Sequence, residues 1–276
     1  MDKLRSSRDR KRHIGRFASM LFLGLTLFWP PKLLVAITLS HSEAVRIGNK
    51  VWQNECNGTI AGLTSWNEGE NFASLGIGHF IWYPKGARGP FDESFPNLVN
   101  FVSSRGAKLP EILLRAKESP CPWNTRGEFE RARQTPEMKQ LRQFLADTVD
   151  LQAEFLVARL QAALPKMLAE VEAGSRTKVE KNFGRMSDTS RGCYPLVDYV
   201  NFKGEGVLKT ERYKGQGWGL LQVLEEMRPE APDCVKEFSG AAAAVLKRRV
   251  KNSPPARHEA KWLPGWLSRV NSYSRN

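Results

Sequence analysis

Residues 52–79, the stretch that decides the fold of this chain, read WQNECNGTIAGLTSWNEGENFASLGIGH. Apolar side chains recur at helical spacing over residues 42–55, which overlap the start of this stretch. This spacing predicts a helix over residues 42–55 with Ser42 as its N-cap. Glycines follow and stop the helix, so Glu55 stands at its end. The stretch closes on Gly-Ile-Gly-His, whose two glycines predict a tight corner.

The position of Glu55 predicts a carboxyl group whose ionised form is disfavoured. Glu55 shares a helix face with Val51 and Trp52, so we expect it to be partly removed from water, and it lies near the negative end of the helix dipole. Both effects favour the protonated acid, which can donate a proton to a glycosidic oxygen. The alternative is a partly exposed glutamate on an ordinary helix.

Two more carboxylates, Glu68 and Glu70, lie in the polar, glycine-containing segment before the corner, and Ser74 opens the corner sequence. An acid at a helix end, with further acids in a turn beside a tight corner, is the layout of a two-carboxylate glycosidase site.

This stretch resembles the phage-type lysozymes. Those proteins carry a catalytic Glu at the end of their first helix and an acidic residue in a β-hairpin, with a Thr six positions later, just before Gly-Ile-Gly-His. The resemblance implies that Glu55 is the general acid. It also implies that Glu68, or failing that Glu70, is the second carboxylate, and that Ser74 assists it. Here Glu replaces the usual Asp at position 68, and Ser replaces Thr at position 74.

The resemblance implies a lysozyme-like α+β fold, mainly helical, with a small β-hairpin lobe beside the cleft. It implies a muramidase that cleaves β-1,4 bonds between the amino sugars of peptidoglycan or a related polymer, without a cofactor or a metal. One alternative is a lytic transglycosylase with a single catalytic Glu, since residues 217–222 also resemble a motif of those enzymes. The other is a non-catalytic cell-wall-binding protein on the same fold.

Aromatic side chains alternate directly after the corner and predict a strand that leads into a Pro/Gly turn. Trp82 and Tyr83 are candidate substrate-binding residues, because aromatic rings beside a cleft stack on sugar rings. The alternative is that Phe80 and Trp82 only pack the hairpin.

A second informative block begins at Pro195, which predicts the start of a helix. This block is similar to the central helix of phage-type lysozymes, which ends in an Asn-containing segment and a Gly-x-Gly turn. Candidate binding residues for the hydroxyls and acetamides of a polymer are Asn201, Glu205, Arg212 and Gln216, together with Glu70 from the hairpin. Glu205 and Arg212 form a structural ion pair in the alternative interpretation.

Between the two blocks, residues 90–135 are predicted to be an insert that forms a lid or a cleft wall. Residues 136–171 predict one long helix or a kinked pair, with Pro165 kinking or ending it. Residues 173–191 are polar and predict a loop with a short helix. The basic tail, which carries Trp262 and Trp266, predicts a solvated helix packed by tryptophan.

The chain of 276 residues has 41% hydrophobic residues and a formal net charge of +13, which suits one domain with a sizeable core. Its basic start, followed by a short apolar run, predicts a secretory signal over residues 1–36, or a retained anchor, before a catalytic domain over 37–276. We therefore expect export to the periplasm or cell envelope, with membrane contact only through this segment. The basic charge would attract anionic cell-wall polymers, and no nucleic-acid-binding signature accompanies it.

Four cysteines, Cys56, Cys121, Cys193 and Cys234, predict one or two disulfides in an exported chain. Their spacing does not match a zinc site. His79 is expected to be a structural hydrogen-bonding residue of the corner.

Overall fold

The computed structural model describes residues 37–89, 91–116 and 119–275. The predicted signal segment, residues 1–36, lies outside the described residues. The described residues belong to one unit, Val35–Asn276. None of the described helices has both the length and the apolar character needed to cross a membrane.

The chain is mainly helical with a small antiparallel sheet, in agreement with the predicted α+β class. The helices are α1 His41–Cys56, α2 Phe95–Ser104, α3 Glu111–Leu114, α4 Arg126–Ala132, α5 Pro136–Asp147, α6 Val149–Glu170, α7 Ala173–Ser187, α8 Ser190–Lys203, α9 Leu220–Glu226, α10 Cys234–Asn252 and α11 Leu263–Ser272. Short 3₁₀ helices span Ala61–Leu63, Pro255–Arg257, Glu259–Trp262 and Tyr273–Arg275. The strands are β1 Thr64–Ser65, β2 Ala73–Leu75, β3 Phe80–Trp82, β4 Arg212–Tyr213 and β5 Gln216–Gly217.

The N-cap of α1 is Ser40, not the predicted Ser42. The Ser40 hydroxyl accepts a hydrogen bond from the backbone N–H of Glu43, and the Glu43 carboxylate accepts one from the Ser40 N–H, which completes a capping box. Farther along α1, Gly48 allows α6 to approach closely, because a Cβ there would lie 2.4 Å from the Cβ of Ala153. α1 is therefore capped at one end and packed tightly along its length, so it is a rigid support for the acid in its last turn.

Strands β1, β2 and β3 form one antiparallel sheet in that order, and β4 and β5 form a separate hairpin. In the first sheet Ser74 pairs with Ser65 on one side and with Ile81 on the other. Directly opposed residues point to the same face of a sheet, so these three side chains share one face. The other face of β3 carries Phe80 and Trp82, which are fully buried in the core.

The apolar pattern of residues 136–171 forms two helices, α5 and α6, which meet at Thr148. Pro165 lies inside α6 and does not end it. The neighbouring side chains Leu164 and Met167 are buried, and their packing holds the last turns of α6 in place although proline lacks the N–H of a helical hydrogen bond.

Residues 173–191 form all of α7 and the start of α8, so the prediction of a loop with a short helix was wrong. α7 buries Val179, Phe183 and Met186 at helical spacing, and this narrow apolar stripe is enough to dock an otherwise polar helix. α8 begins before Pro195, which lies within it rather than opening it.

Helices α2, α3 and α4 come from the predicted insert and pack behind the first sheet. Trp82 of β3 and Phe95 of α2 have ring centroids 5.0 Å apart, and Trp123 meets Phe129 of α4 at the same distance. Most of the insert is therefore core rather than a lid.

All four cysteines are free thiols, so the structure does not contain the predicted disulfides. Cys56, Cys121 and Cys193 are buried. The Cys56 sulfur lies against the Gly76 carbonyl, and the Cys193 sulfur lies against the Ser187 carbonyl. Burial raises the pKa of Cys56 and of Cys121 to about 12 and that of Cys193 to about 11. The three thiols therefore resist ionisation. Because the thiolate is the form that reacts in thiol–disulfide exchange, they also resist that exchange.

Candidate active site

A cleft of about 420 Å³ lies between the first sheet, the middle of α6, the C-terminal end of α8, and the C-terminal segment of the chain. From the sheet and the loops around it, Glu70, Gly78, His79, Ile81, Phe91 and Asp92 line the cleft. From the helices and the tail, the lining residues include Arg159, Asn201, Lys203, Glu205, Glu211, Arg249, Trp262 and Trp266.

Glu55 does not itself line this cleft, but it is hydrogen-bonded to Asn201, which does, and it is held through one of its two carboxylate oxygens. Its Oε1 accepts a hydrogen bond of 2.7 Å from Arg269 Nη2 and one of 3.3 Å from Asn201 Nδ2. Its Oε2 accepts none from the described residues and is not enclosed, and 16% of the side chain is exposed. One oxygen is therefore fixed and the other remains available to a ligand or a proton.

Arg269 belongs to a buried ionic network centred on Asp198. The carboxylate of Asp198, which is fully buried, accepts two hydrogen bonds of 2.8 Å from the Arg269 guanidinium, one of 2.5 Å from the Tyr273 hydroxyl and one of 3.0 Å from Asn54. Burial lowers the pKa of Arg269, but the charges of Asp198 and Glu55 outweigh it and hold this pKa well above its ordinary value. The network ties α11 to α1 and α8, and it places the Arg269 guanidinium against both Asp198 and Glu55.

Asn201 connects the acid to the Gly-Ile-Gly-His corner. Its Nδ2 donates to the Gly78 carbonyl at 3.0 Å as well as to Glu55, and its Oδ1 accepts from Arg159 Nη1 at 3.3 Å. These partners leave only one orientation for the amide. The sequence-predicted Asn201 is thus brought next to Glu55.

The corner itself is held by Gln152, which the sequence interpretation missed. Gln152 is fully buried, and its Oε1 accepts a hydrogen bond of 2.9 Å from the Ile77 N–H. Gly76 has a φ of +74°, and a Cβ there would lie 2.4 Å from the same Oε1, so only glycine fits. His79 Nε2 lies 3.3 Å from the Gly62 carbonyl, which agrees with the expected structural role.

The two hairpin acids differ in position. Glu68 is exposed on a turn, does not line the cleft, and forms no hydrogen bond or ion pair with the described residues. Glu70 is half-buried, lines the cleft, and its Oε2 accepts from Asn67 Nδ2 at 3.1 Å. Burial raises the pKa of Glu70. Ser74 is buried and does not line the cleft, although it shares the sheet face of Ile81, which does. The acid that faces the cleft is therefore Glu70, not Glu68.

Trp82 and Tyr83 do not line the cleft. Trp82 lies on the sheet face opposite Ile81 and is packed against Phe95. The ring of Tyr83 packs edge-on against Phe72 at 5.3 Å, and only 3% of the residue is exposed. The hairpin aromatics pack the core, and the predicted substrate-binding role of these two rings is not supported by their position.

The remaining predicted binding residues are split between the cleft and other surfaces. Glu205 lines the cleft and forms an ion pair of 2.8 Å with Lys166 rather than with Arg212. Arg212 is half-buried in β4 with its Nε enclosed and unpartnered, and Gln216 is exposed in β5. Neither Arg212 nor Gln216 lines the cleft.

Lys203 and Glu211 are two of the ionisable cleft residues that were not predicted. Lys203 lies with its Nζ 3.8 Å from the Phe202 ring centroid and 3.6 Å from that of Trp266, and burial, with the nearby arginines, lowers its pKa well below the ordinary value. Burial raises the pKa of Glu211 to about 7. Among the described residues, no group of His, Cys, Asp or Glu side chains is arranged to hold a metal ion.

The missed partners of Glu55 had different signals in the sequence. Asp198 is a single carboxylate within a run of apolar residues, which indicates a buried, paired charge. Arg269 had no such signal, because it is one of many basic residues in a tail predicted to be solvated. The structure buries Arg269 and Arg249 in ion pairs, with 14% and 13% of their side chains exposed.

Comparisons of the chain with protein-family models, with curated proteins and with solved structures found no match.

Proposed function

We propose that this chain is an exported, lysozyme-like glycosidase that cleaves β-1,4 bonds between the amino sugars of peptidoglycan, with Glu55 as the general acid. The observation that carries the proposal is the environment of Glu55: a carboxyl group at a helix end, beside a cleft, with one oxygen fixed by Arg269 and Asn201 and the other available. The order of helix, hairpin, Gly-Ile-Gly-His corner and central helix supports a lysozyme-like arrangement of the α+β fold.

In this proposal the fixed oxygen orients the group and the available oxygen carries the proton. Arg269 and Asn201 hold Oε1, so Oε2 is the atom that donates a proton to the glycosidic oxygen. Arg269 then stabilises the carboxylate that remains after the transfer, because the two are 2.7 Å apart. Proton transfer of this kind contributes roughly 10²–10⁴ in rate.

The second carboxylate in the proposal is Glu70, because it lines the cleft and Glu68 does not. An ionised Glu70 would accept a proton from the attacking water, and the Ser74 hydroxyl, on the cleft side of the sheet, would help to orient that water. Since burial raises the pKa of Glu70, activity is expected to fall at mildly acidic pH, as this base takes up a proton.

The test compares Glu55→Gln, Glu70→Gln and the matched control Glu68→Gln on purified peptidoglycan, with mass analysis of the released fragments. We expect Glu55→Gln to remove nearly all cleavage, Glu70→Gln to reduce it strongly, and Glu68→Gln to leave it within a few-fold of wild type. Products with hydrated reducing ends support a hydrolase. Products with anhydro ends, together with undiminished cleavage by Glu70→Gln, would instead support a transglycosylase with a single catalytic Glu. If the wild type does not cleave peptidoglycan, the alternative that remains is a non-catalytic cell-wall-binding protein.

A further inference from the structure

Trp262 presents an exposed indole ring to the cleft. Among the described residues, the large hydrophobic side chains that remain exposed are Ile60, Phe91, Leu114 and Trp262, and the last is 55% exposed. Two of these four, Phe91 and Trp262, line the same cleft, and both are aromatic. They come from distant parts of the chain, one from the loop after β3 and the other from the C-terminal segment. Exposed aromatic surface concentrated in a polar cleft indicates a binding surface.

The segment that carries Trp262 is firmly anchored. Trp262 ends a 3₁₀ helix that begins at Glu259, and the buried Glu259 carboxylate accepts hydrogen bonds of 2.8 and 2.9 Å from Arg249 and one of 2.8 Å from the Tyr213 hydroxyl. The Arg249 guanidinium in turn stacks over Trp218 at 4.1 Å. Little conformational entropy would therefore be lost from this wall when a ligand binds.

The neighbouring ring, Trp266, is already covered by cations. Lys203 Nζ lies 3.6 Å from its centroid and the Arg249 guanidinium lies at 5.0 Å. Among the described residues, the one cation over the Trp262 ring is Lys261, whose Nζ lies 4.9 Å from the ring centroid on an exposed side chain. Trp262 is therefore the indole of this wall that remains open to a ligand.

The groups that line the cleft together with Trp262 fit a sugar ring. A pyranose has an apolar face of C–H groups and a rim of hydroxyls, so it needs a flat apolar surface next to hydrogen-bonding groups. The cleft supplies the indole together with the carboxyl groups of Glu205 and Glu211 and the amide of Asn201. We propose that Trp262 stacks on one sugar ring of the glycan strand, with Phe91 supporting the strand from the other wall. This inference rests on the proposed function for the identity of the polymer.

The experiment measures binding of soluble glycan strands, freed of peptide by an amidase, to the Glu55→Gln protein by calorimetry, so that binding is separated from cleavage. Trp262→Ala in this background is expected to weaken binding about threefold to tenfold. Trp262→Phe should retain most of the affinity, since it keeps an aromatic face. The matched control is Ile60→Ala, which removes an equally exposed side chain outside the cleft. Unfolding midpoints of all variants report whether each is folded.

The outcomes separate the two proposals. Strand binding that Trp262→Ala weakens and Trp262→Phe preserves supports the stacking site, whether or not the wild type cleaves peptidoglycan. Equal affinity in the folded Trp262→Ala protein overturns the stacking site and leaves the glycosidase proposal standing if the wild type cleaves. Absence of strand binding by the Glu55→Gln protein overturns the stacking site directly.

Discussion

Replacing Arg269 by methionine tests whether the buried ionic network organises the site. The change keeps a long, largely apolar side chain and removes the guanidinium that bonds both Asp198 and Glu55. Asp198 is fully buried and would retain only Tyr273 and Asn54 as partners, so an uncompensated charge would remain in the core.

Breaking a buried ion pair in this way costs about 3–5 kcal/mol of unfolding free energy. For a domain of this size, 1 kcal/mol corresponds to about 2–4 °C in Tm, so Arg269→Met should lower Tm by roughly 6–20 °C. The double variant Arg269→Met/Asp198→Asn removes the stranded charge as well and should recover a large part of the loss. Arg275→Met, an exposed arginine of the same tail, is the control and should change Tm little.

Thermal unfolding followed by circular dichroism measures all four proteins. A loss below about 1 kcal/mol in Arg269→Met would refute the reasoning, because it would mean that Asp198 carries no unpaired charge once the arginine is gone. A double variant that is no more stable than Arg269→Met would refute the stranded-charge explanation in particular.

Two further predictions concern other titrating groups. Because burial raises the pKa of Glu211 to about 7, above its ordinary 4.5, the wild type should lose stability relative to Glu211→Gln as pH rises from about 4.5 to 7. Thermal unfolding should show that Glu211→Gln is more stable than the wild type at pH 8, by about 1 kcal/mol after allowing for solvent screening, but not at pH 4.5. An equal difference in stability at the two pH values would contradict this prediction. Because burial raises the pKa of three of the four thiols, native protein should react readily with a thiol reagent at no more than one site, Cys234, and unfolded protein at four. Fewer than four reactive cysteines in protein that is unfolded without reductant would indicate a disulfide.

Local patterns in the sequence predicted the elements around the site. The helix that ends at Glu55, the strand after His79 and the corner between them follow from apolar periodicity and from the positions of glycine, which act over a few residues. The same patterns failed for residues 173–191, because α7 is stabilised by the packing of a narrow apolar stripe against the core and not by its local sequence.

By itself, the sequence determined that a carboxyl group ends the first helix beside a Gly-Ile-Gly-His corner, because both features depend on short-range backbone conformation. The tertiary structure alone decided which residues surround that carboxyl group. Arg269 is 214 residues away from Glu55 in the chain, and nothing in its local sequence distinguishes it from the other basic residues of the tail. Only the tertiary structure, likewise, decided that Glu70 rather than Glu68 faces the cleft. The two acids lie two residues apart in one turn, and the direction of each side chain depends on the packing of the loop around it rather than on its spacing in sequence.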